Sequence, residues 1–317
     1  MRIVSLAGGI GGARFLRGLR AAAPDAELTV VVNTGDDITL YGLRVCPDLD
    51  TVMYTLGGGI DEARGWGRLD ETFHAREELQ AYDVPTAWFG LGDRDLATHL
   101  VRRQMLDAGY PLSQVTAALC ARWSPGARLL PMSDDRVETH VRVRLDGGEK
   151  VLHFQEWWVR YRAALPASAI VAVGAEAATP APGVLEAIAD ADLVVLPPSN
   201  PVVSIGTVLQ VPGIAQALRA RPVVGLSPIV GGAPVRGMAD ACLAAVGVET
   251  SAQAVGRHYG ARTEGGLLDG WLVDTADAGA TVPGVAVRAV PLLMRDLDAA
   301  ADMARAALQL AADLSGA

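Results

Sequence analysis

Two groups of residues in this sequence have the types and spacing for phosphate chemistry. The first is a run of glycines, Gly8-Gly9-Ile10-Gly11-Gly12, set between a strand-like start and a helix-like stretch over 13–19. Glycines permit positive φ and close backbone approach, and a following helix turns its first N–H groups and the positive end of its dipole toward an anion. No Gly-Lys-Ser/Thr follows, so this is not a P-loop, and Arg14 stands where a dinucleotide fingerprint has its third glycine. A glycine-rich turn without a ligand satisfies the same pattern. The second group is four aspartates, Asp36 and Asp37 followed by Asp48 and Asp50 in Cys46-Pro47-Asp48-Leu49-Asp50-Thr51. Clustered anions need a cation, and an oxygen-only set suits magnesium (Mg2+), which takes one or two carboxylates together with substrate phosphate oxygens and water. One carboxylate can instead accept a proton from an attacking hydroxyl. Helix capping in solvent is the competing reading for any one of them.

Other candidates name no reaction. Gly92-Asp93-Arg94-Asp95 and Ser133-Asp134-Asp135-Arg136 read equally as capped turns and as anion contacts through Arg94 and Arg136. The aromatic run His153-Phe154-Gln155-Glu156-Trp157-Trp158 suits a ring pocket, a subunit contact or core packing. His74, His99, His140 and His258 lack metal-ligand spacing and receive no catalytic role. No Ser-His-Asp order, G-x-S-x-G elbow or reactive-cysteine context is present.

The elements that must position these residues alternate. Strand-like runs at 27–33, 127–132, 169–173, 193–196, 222–226 and 285–290 are separated by helix-like stretches. This predicts an α/β fold, a Rossmann-like, mostly parallel sheet with helices on both faces. The expected organisation is one α/β domain over 1–317 with a mainly helical insertion at about 51–125, carrying helices at 71–81, 95–108 and 113–122 over a ligand cleft. A hairpin joins 137–145 to 150–154 through Asp146-Gly147-Gly148, and the last helix covers 296–314. Ligands of such sheets sit beyond the carboxyl ends of the strands. That rim collects the glycine run, Asn33-Thr34-Gly35-Asp36-Asp37, Pro197-Pro198-Ser199-Asn200-Pro201 and Ser227-Pro228-Ile229-Val230-Gly231-Gly232.

Composition narrows the classes. The 317 residues, half of them hydrophobic, suffice for a large core, and a net charge of −9 argues against a nucleic-acid surface. Cys46, Cys120 and Cys242 lie far apart, which indicates neither a disulfide framework nor a zinc site and fits the cytoplasm. The first apolar run is too short for a signal peptide, and prolines break the uncharged stretch 193–218, so no membrane association is expected.

In this order, Gly8-Gly9-Ile10-Gly11-Gly12-Ala13-Arg14, Asn33-Thr34-Gly35-Asp36-Asp37, Cys46-Pro47-Asp48-Leu49-Asp50-Thr51, Leu91-Gly92-Asp93-Arg94-Asp95, Pro131-Met132-Ser133-Asp134-Asp135, Ser199-Asn200-Pro201 and Ser227-Pro228-Ile229 resemble the 2-phospho-L-lactate transferase family. The likeness spans most of the chain. Gly65-Trp66-Gly67, Trp88-Phe89-Gly90-Leu91-Gly92-Asp93 and the run from His153 to Trp158 are similar to its actinobacterial branch, the phosphoenolpyruvate transferases. The resemblance implies a step of coenzyme F-420 biosynthesis. The terminal hydroxyl of the deazaflavin Fo attacks lactyl- or enolpyruvyl-diphospho-5'-guanosine, GMP leaves, and no covalent enzyme intermediate forms. It further implies Asp50 as the residue that contacts Fo and either deprotonates its hydroxyl or holds metal, with Gly90 also at Fo. Gly9, Gly11, Gly12, Arg14, Ser199, Asn200 and Pro201 would lie along the guanosine diphosphate portion, Asp36, Asp37, Asp48 and Asp50 at magnesium, and the protein would be a homodimer. Arg14 stands where many relatives carry lysine. Two other readings compete: a nonenzymatic nucleotide-binding regulator, and an NAD-dependent dehydrogenase in which Asp36 reads the ribose.

Overall fold

In the computed structural model, which describes residues 1–316, seven strands form one parallel sheet. They are β1 (Arg2–Ala7), β2 (Glu27–Val32), β5 (Arg128–Pro131), β9 (Leu193–Leu196), β10 (Val223–Leu226), β13 (Gly270–Val273) and β14 (Ala286–Ala289), in the spatial order β14-β13-β10-β9-β1-β2-β5. All of their pairings are parallel. The central strands are buried on both faces, so they read as unbroken apolar runs, as in Leu193-Val194-Val195-Leu196. The strand order reverses between β1 and β9, and that is where such sheets open a crevice at their carboxyl end.

Helices cover both faces, as the alternation predicts. On one side pack α1 (Gly9–Ala22), α2 (Pro47–Leu56), α5 (Leu112–Trp123) and α11 (Leu297–Ser315), through Phe15, Leu16, Leu19, Val52, Val115 and Met303. On the other lie α6 (Val184–Asp190), α7 (Ile205–Gln210), α8 (Ile214–Arg219), α9 (Ala239–Ala245) and α10 (Ala252–Tyr259), through Ile188, Val208, Leu218, Leu243 and Val255. Each fully buried Leu, Ile, Val or Phe contributes about 1.5–3 kcal/mol by leaving water. Helix α1 starts at the extended Gly8 and stops at Ala23, whose successor Pro24 disfavours a helical predecessor.

Between β2 and β5 run a short hairpin, β3 (Ile38–Leu40) with β4 (Leu43–Val45), then α2, α3 (His74–Ala81), α4 (Asp93–Asp107) and α5. The hairpin was not anticipated; Tyr41 and Gly42 both take positive φ, as its tight turn requires. Strands β6 (Glu138–Leu145), β7 (Gly148–His153) and β8 (Ala167–Val173) make a separate antiparallel sheet, and β11 (Ile229–Val230) pairs with β12 (Ala233–Pro234). Two expectations need correction. The run 169–173 belongs to β8, which pairs antiparallel with β6 and lies outside the parallel sheet, consistent with its half-exposed pattern. Strand β13, carrying the buried Trp271, was missed. No helix among the described residues is long and apolar enough to cross a membrane.

Helices α1 and α11 meet at Gly18, where a Cβ would overlap the backbone of Ala300. Gly18→Val should therefore cost about 1–3 kcal/mol by overpacking, seen as a fall of several degrees in a thermal melt. Gly279→Val, at an exposed position with open space, is the control. Equal melting temperatures for the two would contradict this packing.

Candidate active site

The loops after β1 and β9 lock together at the crevice. Ser199 Oγ donates to the Gly8 carbonyl (2.8 Å) and accepts from the Gly8 amide (3.3 Å). The glycines allow this closeness: a Cβ on Gly11 would lie 2.8 Å from the Pro198 carbonyl oxygen, and one on Gly12 would overlap Ser199 Oγ. The first amides of α1 have no partner within the helix, but Gly9 N–H is already taken, donating to Asp48 Oδ1 at 2.8 Å. In the same loop after β9, Asn200 Oδ1 accepts from the amides of Val202 (2.9 Å) and Val203 (3.2 Å), so its side chain shapes the turn. Arg14 lies one turn along α1, its guanidinium on the Glu62 carbonyl (3.1 Å).

Asp48 and Asp50 occupy the first turn of α2, with Pro47 opening the helix. Carboxylates are favoured there by the dipole, and proline loses nothing at that position. Asp48 Oδ2 accepts from Asn33 Nδ2 at 2.9 Å, and Asn33 Nδ2 also donates to the Val203 carbonyl at 3.1 Å. Burial pushes the Asp48 carboxyl up to about 6, against the lowering effect of the Asn33 and Gly9 hydrogen bonds. Asp36 is 5% exposed. Burial and then the charge of Asp48 hold it well above the usual carboxylate range, and its Oδ1 has no hydrogen-bond partner.

The other two aspartates face different neighbours. Asp37 Oδ2 accepts from Arg44 Nε (2.9 Å) and Cys46 Sγ (3.1 Å). Asp50 Oδ1 is paired with Arg102 of α4, while Asp50 Oδ2, 3.8 Å from His99 Nδ1, has no hydrogen-bond partner. Burial raises Asp50, and the charge of Arg102 limits the rise. Among the described residues no group of three or more His, Cys, Asp or Glu side chains converges as a metal cage. The four aspartates are thus a split set: Asp37 and Asp50 each have an arginine, whereas Asp36 and Asp48 have none.

Gly90 lies elsewhere, against the Trp66 indole; a Cβ on it would come within 2.8 Å of that ring. Trp66 is 44% exposed, and the Arg64 guanidinium carbon sits 5.4 Å from its centroid. The capped-turn reading accounts for three aspartates: Asp93 accepts from the His74 and Ala75 amides, Asp134 from Ser113, and Asp135 from Thr179. Arg136 is paired with Glu138 at 2.6 Å. Phe154 and Trp157 are core, Trp157 Nε1 donating to the Leu165 carbonyl at 2.7 Å, and His153 Nε2 reaches the Asp37 carbonyl at 3.2 Å. Sequence reasoning missed Arg102 and gave His99 no role, although both are buried beside Asp50. A signal existed: Asp95, Thr98, His99 and Arg102 recur at i, i+3, i+4 and i+7, which puts them on one helical face.

Because folding raises the pKa of Asp36 and Asp48, the folded state holds protons that the unfolded chain has released. Stability from this pair therefore falls as pH rises, for Asp48 between about 3.9 and about 6. Asp36→Asn should raise the melting temperature of the metal-free protein at pH 7.5, by about 2 °C or more, and this gain should shrink toward pH 4. A variant that melts lower than the parent at pH 7.5 would contradict the assignment of unrelieved charge to this pair.

A family model described as 2-phospho-L-lactate transferase CofD matches residues 3–287. A protein of Streptomyces griseus subsp. griseus named phosphoenolpyruvate transferase is 70% identical over 320 residues, covering 99% of each chain. A protein of the same name from Thermobifida fusca is 66% identical over 322 residues, again 99% of each. Among solved structures, protein BH3568 from Bacillus halodurans superposes with a TM-score of 0.62 at 17% identity, over 96% of this chain and 98% of that one, a likeness of fold. A second structure of it, described as a member of the upf0052 family, gives 0.60 at 16%, over 97% and 98%. With a family model spanning nearly the whole sequence and relatives this similar from end to end, the chain belongs to the CofD family of 2-phospho-L-lactate transferases.

Proposed function

We propose that this protein transfers a phosphoenolpyruvyl group, or its 2-phospho-L-lactyl counterpart, from a guanylylated donor to the terminal ribityl hydroxyl of the deazaflavin Fo, with release of GMP. The observation that carries the reading is the joining of the β1 and β9 loops at the crevice, with a buried, unrelieved pair of carboxylates directly behind the glycine amides. Relatives named phosphoenolpyruvate transferase favour the enolpyruvyl donor.

In this reading the hydroxyl oxygen of Fo bonds to the phosphorus that carries the enolpyruvyl group. The bond from that phosphorus to the bridging oxygen breaks, GMP leaves with the electron pair, and Asp50 Oδ2 takes the hydroxyl proton. Phosphoryl transfer of this kind needs positioning and charge neutralisation rather than a protein nucleophile. The amides of Gly11 and Gly12 cradle the diphosphate, while Gly9, its own N–H on Asp48, lets the backbone approach closely, with Ser199, Asn200 and Pro201 shaping the facing loop and Arg14 at its edge. Asp36 and Asp48 have the chemistry for magnesium, since Asp36 Oδ1 is buried without a partner and the pair has no arginine of its own. That ion needs only one or two protein carboxylates when phosphate oxygens complete its shell, and when bound it offsets the diphosphate charge. The Trp66 ring, backed by Gly90, offers a flat apolar platform for the deazaflavin.

Purified protein incubated with Fo, magnesium and equal amounts of the two synthetic guanylylated donors should yield a phosphodiester adduct whose mass identifies the donor. A chelator-treated reaction should yield none. Folded protein giving no adduct from either donor would overturn the reading in favour of a nucleotide-binding regulator. Asp50→Asn should lower turnover per folded molecule by about 10²- to 10⁴-fold. It should also lower the melting temperature, because Arg102 loses its counter-charge. A turnover loss of less than about threefold would be too small for a general base.

A further inference from the structure

We propose that Arg102, held from behind by His99, is a positioning residue that clamps Asp50 by one oxygen and thereby presents the other to the acceptor hydroxyl; this rests on the transferase reading above. Arg102 is buried with its Nη2 on Asp50 Oδ1, so its influence on the reaction passes through that carboxylate. Its guanidinium is fixed on three sides: Nη2 on Asp50 Oδ1, Nη1 on the Arg44 carbonyl (3.2 Å), and Nη1 on His99 Nδ1 (3.0 Å). A guanidinium only donates, so His99 Nδ1 must be the acceptor and the ring proton sits on Nε2, 3.4 Å from Asp95 Oδ2. Asp95 is fixed in turn: its Oδ1 accepts from the Tyr54 hydroxyl at 2.5 Å, and its amide donates to Glu71 Oε2 at 3.1 Å. The chain of contacts therefore runs from the opening of α4 to Asp50 Oδ1 and ends there. Asp50 Oδ2 is the one carboxylate oxygen of this series that is buried with no hydrogen-bond partner and no ion pair closer than the 3.8 Å to His99 Nδ1.

Stability does not account for this arrangement. A buried ion pair is often no more stable than apolar side chains of the same volume, because both charges lose their water. Its distinctive product is orientation, since a planar fork held at three points allows the carboxylate one rotation where a single ammonium allows several. An acceptor oxygen must lie close to the proton it receives, and a misplacement of about 1 Å can cost about 10²-fold in rate.

The test is a double-mutant cycle in the full-length protein with Fo, magnesium and the donor that the wild type uses. Arg102→Lys keeps the charge and loses the fork. It should lower kcat by about 10- to 100-fold while leaving the donor KM within about twofold. In the Asp50→Asn background the same change should add less than about threefold, because its only route to the chemistry is gone. Where Arg102→Lys does not fold, His99 decides: His99→Leu should lose kcat, and His99→Asn, whose amide oxygen can replace Nδ1 as acceptor, should recover at least about tenfold of that loss. Multiplicative losses in the cycle, an Arg102→Lys kcat within threefold of wild type, or equal losses in the two His99 variants would each overturn the proposal. An inactive wild type would instead overturn the transferase reading, and this inference with it.

Discussion

The carboxylate of Asp48 is the interaction on which the rest of the site depends. Its two oxygens hold the Gly9 amide and the Asn33 side chain, so one buried group ties the start of α1, the end of β2 and the start of α2. Asn33 extends the tie to the β9 loop through the Val203 carbonyl, and Ser199 closes it on Gly8. Gly8 must be glycine for this to happen, since a Cβ there would lie 2.6 Å from both Asp48 Oδ2 and Ser204. The crevice at the strand-order reversal is consequently a fixed cradle made from four chain segments, and each is short because its strand ends at the same rim.

The cradle is stable despite its charge, and the charge is divided in a telling way. Asp37 and Asp50 are matched by Arg44 and Arg102, so their negative charge is spent inside the protein. Asp36 and Asp48 are matched by neutral donors only, which raises the pKa of both and leaves the folded state with an unfavourable interaction. Such a defect is tolerated when the surrounding sheet and helices overdetermine it, and perturbed carboxylates of this kind concentrate where a ligand supplies the missing charge. A ligand that brings positive charge to this pair would remove the defect.

Much of this was legible from sequence, for identifiable reasons. Strands β2, β9 and β10 are buried on both faces and bounded by turn residues, so their apolar runs stand out. The glycine run, Asn33 to Asp37, Cys46 to Thr51 and the β9 loop all follow directly on strands or open helices, where local pattern and site coincide. Strand β8 was misplaced because a strand run says nothing about its partner, and β13 was missed because Gly270 and Asp274 leave only three apolar residues between turn signals. The division among the four aspartates was not legible at all. Whether a carboxylate meets an arginine depends on where α4 docks, and Arg102 is 52 positions from Asp50.

That docking is governed by polar contacts more than by apolar area. Helix α3 buries none of its residues, and the buried residues of α4 are Asp95, Thr98, His99 and Arg102. The two helices fix each other's starts: Glu71, just before α3, accepts from the Arg94 and Asp95 amides at the opening of α4, while Asp93 accepts from the His74 and Ala75 amides at the opening of α3. Apolar packing tolerates sliding, whereas carboxylates seated on specific amides do not, since a displaced register leaves them unpaired. Gly90, which packs against Trp66, leads through Leu91 and Gly92 straight into α4, so that contact and the helix bearing Arg102 share one short connection. A shift of α4 would therefore disturb the Gly90 contact with Trp66 and the Arg102 contact with Asp50 together.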